Sequence, residues 1–208
     1  MRQAIGSNTP RSVNKVSIQH SLDGHSFSVS GLERVLPGND AVAVEVLTPQ
    51  TLLVPAELFD AEAAADLLAA AGMACTGEQR AVWSAPVRIA PETTVVAVMA
   101  AETDAVRKVY DRLGYRASFT TPLLNKSAAA DTVFLHRAAG ILYIKVFART
   151  LCMAEAIPAA TEADMLYFVD RLSRVFPLKN MRLHLSGVNT TRASKLIGKR
   201  FKKVVCES

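Results

Sequence analysis

The chain has 208 residues, of which 50% are hydrophobic and 21% are charged. This length gives one or two domains with a sizeable core, and the composition excludes a disordered or low-complexity chain. Three cysteines are few, and their odd number does not suit a disulfide framework, so a reducing compartment is expected.

Positive charge is concentrated near the C-terminus. The formal net charge is +5, but residues 177–208 hold eight basic residues against one acidic residue, whereas the other 176 residues sum to −2. Such a segment is typical of contact with nucleic acid or anionic lipid, or of a solvated helix face. Few aromatic residues accompany it, which argues against base stacking and leaves phosphate contact open. The candidate anionic-partner patch is Arg192, Lys195, Lys199, Lys202 and Lys203.

The sequence pattern of residues 15–120 predicts mostly strands. Alternating apolar and polar residues flank Asp23-Gly24, a dipeptide typical of type I′ hairpin turns. Thr103 is expected to cap a helix that Gly114 ends. The predicted elements are strands at 15–20, 25–30 and 42–47, a helix at 55–72, strands at 82–89 and 95–99, a helix at 103–114 and a strand at 115–120.

After a loop-like stretch the pattern starts again. Ala139-Gly140 forms a predicted turn, and Thr161 with Asp164 forms a predicted capping box for a strongly amphipathic helix. The predicted elements are strands at 132–137, 141–148 and 150–157, a helix at 161–176, a strand at 181–185, a helix at 192–201 and a strand at 203–206. Two units of three antiparallel strands followed by α-β-α-β indicate a duplication of element order without residue-level identity.

This double unit is similar to the actin-like ATPase fold, whose two ribonuclease H-like lobes occur in actin, Hsp70-type chaperones and sugar kinases. The chain more closely resembles an uncharacterised family of Bacteroidetes proteins with this fold. Three segments carry the resemblance: VSIQHSLDGHSFSV at 16–29, LLVPAELF at 52–59 and LHLSG at 183–187. It implies an α/β fold of two lobes, 13–122 and 128–208, each a mixed sheet of order β-β-β-α-β-α-β.

The resemblance also implies an ATP cleft between the lobes, with ATP and Mg²⁺ as cofactors. Actin-like ATPases carry Asp-x-Gly-Thr/Ser in the first hairpin, and its Asp holds the water shell of the metal. Aligning Gly24 with that Gly places Leu22 at the Asp position, and Asp23 comes one residue late, on the opposite face of a strand. The second-lobe turn at 137–140 has no acid. The Gly-Gly pair on the adenosine side is reduced to Ser186-Gly187.

The candidate nucleotide-binding residues are therefore Asp23, Gly24, Ser186 and Gly187, in a site that departs from the family pattern. The leading prediction is a non-catalytic interaction or scaffold protein with a protein partner and at most weak nucleotide binding. One alternative is an active ATPase or phosphotransferase with acids at unusual positions, Asp23 and Asp131. Another is a nucleic-acid-associated protein that uses the basic segment.

The sequence gives less support to a P-loop, a dinucleotide-binding site, a metal site or an acetyltransferase site. The chain contains no P-loop and no Gly-x-Gly-x-x-Gly, and its cysteines and histidines lack close metal-ligand spacing. His20 and His25 flank the first turn as a predicted cross-strand pair. The segment 106–115 is similar to the late helix of GNAT acetyltransferases, which would make Tyr110 a general acid, but 71–77 supplies no pyrophosphate loop.

Neither a signal peptide nor a membrane span is predicted. The first 13 residues are polar and lack an apolar core, and no apolar run approaches the about 18–20 residues that a span requires. A cytoplasmic location is expected.

Overall fold

The computed structural model describes residues 16–20, 27–125 and 130–207, which form three β-sheets and four α-helices. The helices are α1 (Ala64–Ala70), α2 (Thr103–Leu113), α3 (Glu162–Val175) and α4 (Thr190–Ile197). The strands are β1 (Val16–His20), β2 (Phe27–Ser30), β3 (Val42–Leu47), β4 (Thr51–Pro55), β5 (Gln79–Trp83), β6 (Val87–Ala90), β7 (Thr93–Glu102), β8 (Ala117–Thr120), β9 (Thr132–Ala138), β10 (Ile141–Phe147), β11 (Leu151–Pro158), β12 (Arg182–Gly187) and β13 (Lys203–Cys206). None of the described helices combines the length and the apolar character that crossing a bilayer requires.

The N-terminal sheet has the strand order β2-β1-β3-β8. β1 and β2 pair antiparallel, as the predicted hairpin requires, while its turn residues Asp23 and Gly24 lie outside the described residues. β3 departs from the prediction of three antiparallel strands, because it pairs parallel to β1 on the side away from β2. Five of its six residues are buried, a pattern typical of a strand with covered faces.

An inserted sheet lies between β3 and β8 in the chain. β7 is its central strand and pairs antiparallel with β4, β5 and β6. Both faces of β7 are buried: Ala97 and Met99 pack with the core of the N-terminal sheet, whereas Val98 and Ala100 pack with Leu68 of α1. The inserted sheet therefore shares its core with the N-terminal sheet.

Three local predictions in this region need correction. The helix expected at 55–72 is limited to α1, because β4 extends to Pro55 and a 3-10 turn at Ala56–Leu58 follows. The strand expected at 82–89 is two strands, β5 and β6, separated around Pro86, which has no N–H for a sheet. Thr103 is the first residue of α2 and not its cap, since β7 runs directly into the helix.

The C-terminal sheet confirms the predicted element order β-β-β-α-β-α-β. Its strand order is β11-β10-β9-β12-β13, with β9, β12 and β13 parallel. Helices α3 and α4 cover one face, where Met165 and Ile197 are fully buried. The capping box of Thr161 and Asp164 is present. The last helix is shorter than the predicted 192–201, because a 3-10 turn starting at Gly198 leads the chain into β13.

A small apolar cluster joins the N-terminal and C-terminal sheets. Its buried members are Leu47 on β3, Leu123 in the segment 121–125 (called here the connecting segment), and Ile141, Tyr143 and Ala156 on β10 and β11. The segment 121–125 lies between the sheets and includes a 3-10 turn at Pro122–Leu124, all three residues of which are buried. The two sheets thus pack on each other through the chain that connects them.

The β9–β10 turn offers a test of the hairpin geometry. Ala139 and Gly140 both have positive φ, 49° and 70°, as a type I′ turn requires. Alanine is strained at such angles, whereas asparagine tolerates them. Ala139→Asn is expected to raise the free energy of unfolding by about 0.5–1 kcal/mol in urea denaturation. Ala138→Asn, one residue earlier in β9, is the control and should give no gain; equal effects of the two substitutions would contradict the turn assignment.

Candidate functional site

Strand alternation divides the C-terminal sheet into two chemically different faces. On the helix-covered face, β9 contributes Val133 and Leu135 to the core. The opposite face carries aromatic and ionisable side chains, because successive residues of a strand point to opposite sides. These side chains are Phe134 and His136 on β9, Tyr143, Lys145 and Phe147 on β10, and His184 and Ser186 on β12.

This second face borders a cavity of about 390 Å³, called here the central cavity. The connecting segment closes it from one side through Pro122, Leu123 and Asn125. Gly187 and Glu207 line it near the ends of β12 and β13. The central cavity therefore lies against the surface at which the C-terminal sheet meets the connecting segment.

Lys145 is the most unusual residue of the central cavity. Its side chain is 2% exposed, and its Nζ donates a hydrogen bond to the Asn125 carbonyl oxygen at 2.6 Å. The ammonium also lies 5.3 Å from the ring centroid of Phe134 and 6.0 Å from that of Phe147, within the range of cation–π attraction. Burial lowers the pKa of Lys145 to about 8.

Two histidines on neighbouring strands each contact a polar partner. His136 and Ser186 are register partners across β9 and β12, and the His136 Nδ1 lies 2.9 Å from the Ser186 Oγ. The His184 Nδ1 lies 3.4 Å from a carboxylate oxygen of Glu207. The His184 ring also packs on Phe134, with centroids 5.0 Å apart. These contacts fix both imidazoles at the cavity wall.

Tyr143 carries a buried hydroxyl that lies toward Glu45 and Thr48 of the N-terminal half. The side chain is 1% exposed, and its oxygen has no hydrogen-bond partner among the described residues. The hydroxyl lies near the backbone of Thr48 without the geometry of a hydrogen bond. Burial raises the pKa of Tyr143, and the Glu45 carboxylate raises it further, so the phenol stays protonated and can donate.

The N-terminal sheet also presents polar groups on one face of its strands. Glu45 on β3 is buried and lies in register with Ser17 of β1 and Thr120 of β8. The Ser17 Oγ lies 2.8 Å from that of Ser30 and accepts a hydrogen bond from the Gln19 side chain at 3.0 Å. Glu45 acts electrostatically on Tyr143, which indicates that the polar faces of the two sheets approach each other.

Two of the four candidate nucleotide residues line the central cavity, and the structure gives a reason for one of them. Gly187 has a φ of +88°, and a Cβ there would lie 2.0 Å from the Arg137 carbonyl oxygen. A side chain would thus collide with the backbone of β9, so the end of β12 requires glycine. Ser186 lines the cavity next to it, and its hydroxyl contacts His136. Asp23 and Gly24 lie outside the described residues.

Asp131 lies far from this arrangement. It is exposed and precedes β9, with a left-handed φ of 51°. His136 follows five residues later, which corresponds to roughly 16 Å along a strand. Asp131 therefore sits at the opposite end of the strand from Ser186 and Gly187.

The basic residues form two groups. Arg192 on α4 pairs with Glu162 of α3, and Lys195 lies exposed on the same helix. Lys199 does not share a helix face with Lys195, because α4 ends at Ile197. Lys199, Lys202 and Lys203 are exposed near the start of β13. Two further cations join this second group: the Lys179 Nζ donates to the Lys199 carbonyl at 2.7 Å, and Arg182 is the register partner of Lys203.

Residues considered for other chemistries have ordinary surroundings. Tyr110 is half exposed on α2 and packs edge-on against Phe119, with centroids 5.7 Å apart. Burial raises the pKa of the Cys75 thiol, which disfavours the reactive thiolate. In the parts of the chain that the structure describes, no three histidine, cysteine or acidic side chains are grouped as metal ligands. His20 lies on β1, and His25 lies outside those parts.

The residues that define the central cavity were not predicted as a site. Tyr143 and Lys145 lie on β10 and His136 on β9, and only the pairing of these strands with each other and with β12 brings the three side chains to Ser186 and Gly187. One signal was present in the sequence: Lys145 is the single charge in the apolar run ILYIKVF. A charged residue in a strand that is otherwise apolar on both faces indicates a buried polar site.

Comparison with solved structures shows an actin-like ATPase fold. A Bacteroides thetaiotaomicron protein described as having this fold and unknown function is similar, with a TM-score of 0.66, 18% sequence identity, and coverage of 93% of this chain and 90% of that chain. This likeness confirms the predicted fold and the resemblance to an uncharacterised Bacteroides protein. The cytoplasmic domain of EpsL, an inner membrane component of the type II secretion system of Vibrio cholerae, is similar with a TM-score of 0.40, 11% identity and coverage of 83% and 82%. No family model and no curated protein matches the chain.

The burial of Lys145 predicts a pH-dependent stability. Its pKa is about 8 in the folded protein and near 10.5 when exposed, so between these values the unfolded chain binds the extra proton. The free energy of unfolding should then rise with pH, by about 2 kcal/mol between pH 8 and 9.5. Urea denaturation from pH 7.5 to 9.5 measures this slope, below the range in which tyrosines ionise.

Lys145→Met should remove this rise, because methionine fills similar space without a charge. Lys108→Met on α2, where the lysine is exposed, is the matched control and should keep the wild-type slope. The same slope in Lys145→Met and wild type would show that Lys145 is not the group that titrates.

Proposed function

We propose that this chain is a non-catalytic interaction or scaffold protein built on the actin-like ATPase fold, with at most weak nucleotide binding. In this proposal its lobes are residues 13–122 and 128–208, it acts in the cytoplasm, and its partner is another protein. All three cysteines carry free thiols, which suits a reducing compartment.

The observation that carries the proposal is the way the connecting segment holds the two sheets together. Leu123 is 1% exposed and packs between Leu47 of the N-terminal sheet and Tyr143 of the C-terminal sheet. Burial of one such leucine is worth about 1.5–3 kcal/mol. The hydrogen bond from Lys145 to the Asn125 carbonyl ties the same segment down. Opening the sheets would break these contacts, which favours a fixed platform over a cleft that opens and closes around ATP.

The charges around the central cavity support the same proposal. Mg²⁺ prefers carboxylate and water oxygens, whereas the described lining offers the Lys145 ammonium and two imidazoles. Of the nearby carboxylates, that of Glu207 contacts His184, and that of Glu45 is buried close to Tyr143. The described residues therefore do not fit a magnesium ion, and the proposal contains no hydrolytic step.

Exposed aromatic residues support a protein partner. Trp83 on β5, Tyr110 on α2 and Tyr115 after it are 39%, 46% and 86% exposed. Trp83 and Tyr110 line one groove, together with Phe59 and Phe119. Aromatic side chains of this kind are enriched at protein–protein interfaces.

Titration with Mg²⁺-ATP tests the proposal. We expect no saturable binding at micromolar strength, which would correspond to about −8 kcal/mol, and no Mg²⁺-dependent release of phosphate. Calorimetry measures the heat, with ADP as comparison, and thermal denaturation detects binding that has no enthalpy. Asp23→Asn serves as the matched control and should behave like wild type. Magnesium-dependent turnover that Asp23→Asn abolishes would contradict the proposal and favour the ATPase alternative.

A nucleic-acid-associated function is a second candidate, because the fold enlarges the basic cluster. Lys179 and Arg182 lie beside Lys199 and Lys203, although the four are spread over 25 residues of sequence. Lys195, Lys199, Lys202 and Lys203 make no ion pair within the described residues and are exposed. Exposed, unpaired cations of this kind can neutralise phosphates.

This second candidate predicts a steep salt dependence of duplex DNA binding. Contact with four phosphates would weaken binding by about 100-fold between 50 and 200 mM salt. Lys195→Glu combined with Lys199→Glu should abolish binding, measured by fluorescence anisotropy. Lys108→Glu combined with Arg149→Glu changes the net charge equally at exposed positions elsewhere and should have little effect. Binding that does not depend on salt, or that both double variants lose equally, would exclude the patch.

A further inference from the structure

We propose that the groove beside Trp83 binds an extended, acidic segment of a partner protein, which adds to the edge of β5 as a further strand. This groove, called here the aromatic groove, has a volume of about 440 Å³ and lies between β5 and β8. The inference rests on the proposed function, which assigns the chain a protein partner, and deepens it by stating where the partner binds and what chemistry it carries.

The aromatic groove opens between two strand edges. Among the strands that the structure describes, β5 and β8 are each the last strand of their sheet, paired with β7 and β3 on one side. The two edges meet at a single bridge, between Ser84 and Phe119. Before this bridge they separate, so that Ala81 and Trp83 of β5 line the same groove as Ser118 of β8. Such edges present N–H and C=O groups that pair with an added strand.

The hydrogen bonds of β5 show which backbone groups face the groove. The Ser84 N–H donates to the Ala97 carbonyl oxygen at 3.0 Å, so these two residues form a hydrogen-bonded pair at the end of the β5–β7 ladder. Bonded and non-bonded pairs alternate along an antiparallel ladder, so Val82 also bonds to β7. Ala81 and Trp83 therefore direct their N–H and C=O groups away from β7, toward the aromatic groove.

Aromatic rings form the two sides of the groove. Phe59 and Trp83 pack together on one side, with ring centroids 5.9 Å apart. Tyr110 of α2 and Phe119 of β8 pack edge-on at 5.7 Å on the other side. Ring pairs held in this way offer a rigid apolar surface to a side chain of the partner, and aromatic residues of this kind often carry most of the energy of an interface.

Charge indicates which partner fits. Arg80 is the one charged side chain in the described lining of the groove. It is exposed and forms no ion pair with any described residue. A carboxylate of the partner would meet this guanidinium without competition from another acid in that lining, and arginine can bind it through two hydrogen bonds. Residues 1–15 of the chain hold three basic residues and no acidic one, so they do not supply this charge.

The length of the edge sets the size of the bound segment. β5 has five residues, which corresponds to about 16 Å of extended chain. The partner segment therefore contributes four or five residues in extended form. Among them are an aromatic or large aliphatic residue for the ring pairs and an aspartate or glutamate for Arg80.

The test begins with the full chain and a phage-displayed library of random dodecapeptides. We expect the enriched peptides to share an aromatic or large aliphatic residue close to an acidic residue. A synthetic peptide of the most enriched sequence, labelled with fluorescein, should bind saturably in fluorescence anisotropy. Hydrogen exchange followed by NMR then tests strand addition: the peptide should slow exchange of the Ala81 and Trp83 amides. The Val82 amide, which already bonds to β7, is the internal control.

Matched variants assign the binding to the aromatic groove. Arg80→Glu should weaken it at least 10-fold, because an attractive charge becomes a repulsive one, and Trp83→Ala should weaken it about 10-fold. Trp83→Phe keeps an aromatic ring at the wall and should retain most of the affinity. Arg149→Glu makes the same charge change at an exposed position after β10 and should bind like wild type. If Trp83→Ala does not fold, Arg80→Glu against Arg149→Glu decides alone.

The proposal is overturned if no peptide is enriched, if the enriched peptides lack acidic residues, or if Arg149→Glu weakens binding as much as Arg80→Glu does. Unchanged exchange of the Ala81 and Trp83 amides would overturn strand addition. A dimer in sedimentation that Trp83→Ala disperses would assign the groove to a second copy of the chain and overturn the proposal as well.

These outcomes are separate from that of the ATP titration. Turnover of ATP would overturn the scaffold function and leave the measured peptide binding standing. Failure to enrich any peptide would remove this site and leave the scaffold function to other surfaces of the protein.

Discussion

The rest of the structure depends on the complete burial of β10. All seven residues from Ile141 to Phe147 are buried, although the strand carries a lysine and a tyrosine. One face of the strand packs against α3 and α4, and the other packs against the connecting segment and Phe134. Burying a charge and a hydroxyl in this way is unfavourable unless their surroundings compensate, so the segment 121–125 and the neighbouring strands must hold fixed positions around them.

This constraint links the shape of the protein to its chemistry. The carbonyl of Asn125 accepts a hydrogen bond from Lys145, and the side chain of Leu123 packs with Tyr143 in one cluster. The same short segment therefore connects the two halves of the chain, closes the central cavity and compensates its buried charge. Separating the two sheets would therefore open the cavity and expose the buried ammonium at the same time.

How much could be predicted differs between the two halves for physical reasons. The element order of the C-terminal half followed from its sequence, because each strand and helix has a clean period and α3 has its capping box. In the N-terminal half, the parallel pairing of β3 with β1 and the insertion of β4 to β7 depend on contacts far apart in sequence. Within the site, Ser186 and Gly187 could be singled out because they are adjacent. The set of Tyr143, Lys145 and His136 could not, because only the register between β10 and β9 places His136 beside the two β10 residues.

The double-sided burial of β7 has a consequence for how the N-terminal half of the chain can change over evolutionary time. The small side chains of the alanines at positions 97, 100 and 101 allow the N-terminal core on one face of β7 and α1 on the other to approach the strand closely. An insertion that attaches only through surface loops can be lost or exchanged as a module. Here the inserted sheet supplies part of the wall of the main core, so its removal would expose to water apolar residues of the cluster that Ala97 and Met99 share with β3 and α2. The N-terminal sheet and the inserted sheet therefore cannot change independently, and relatives are expected to keep both or to rebuild both.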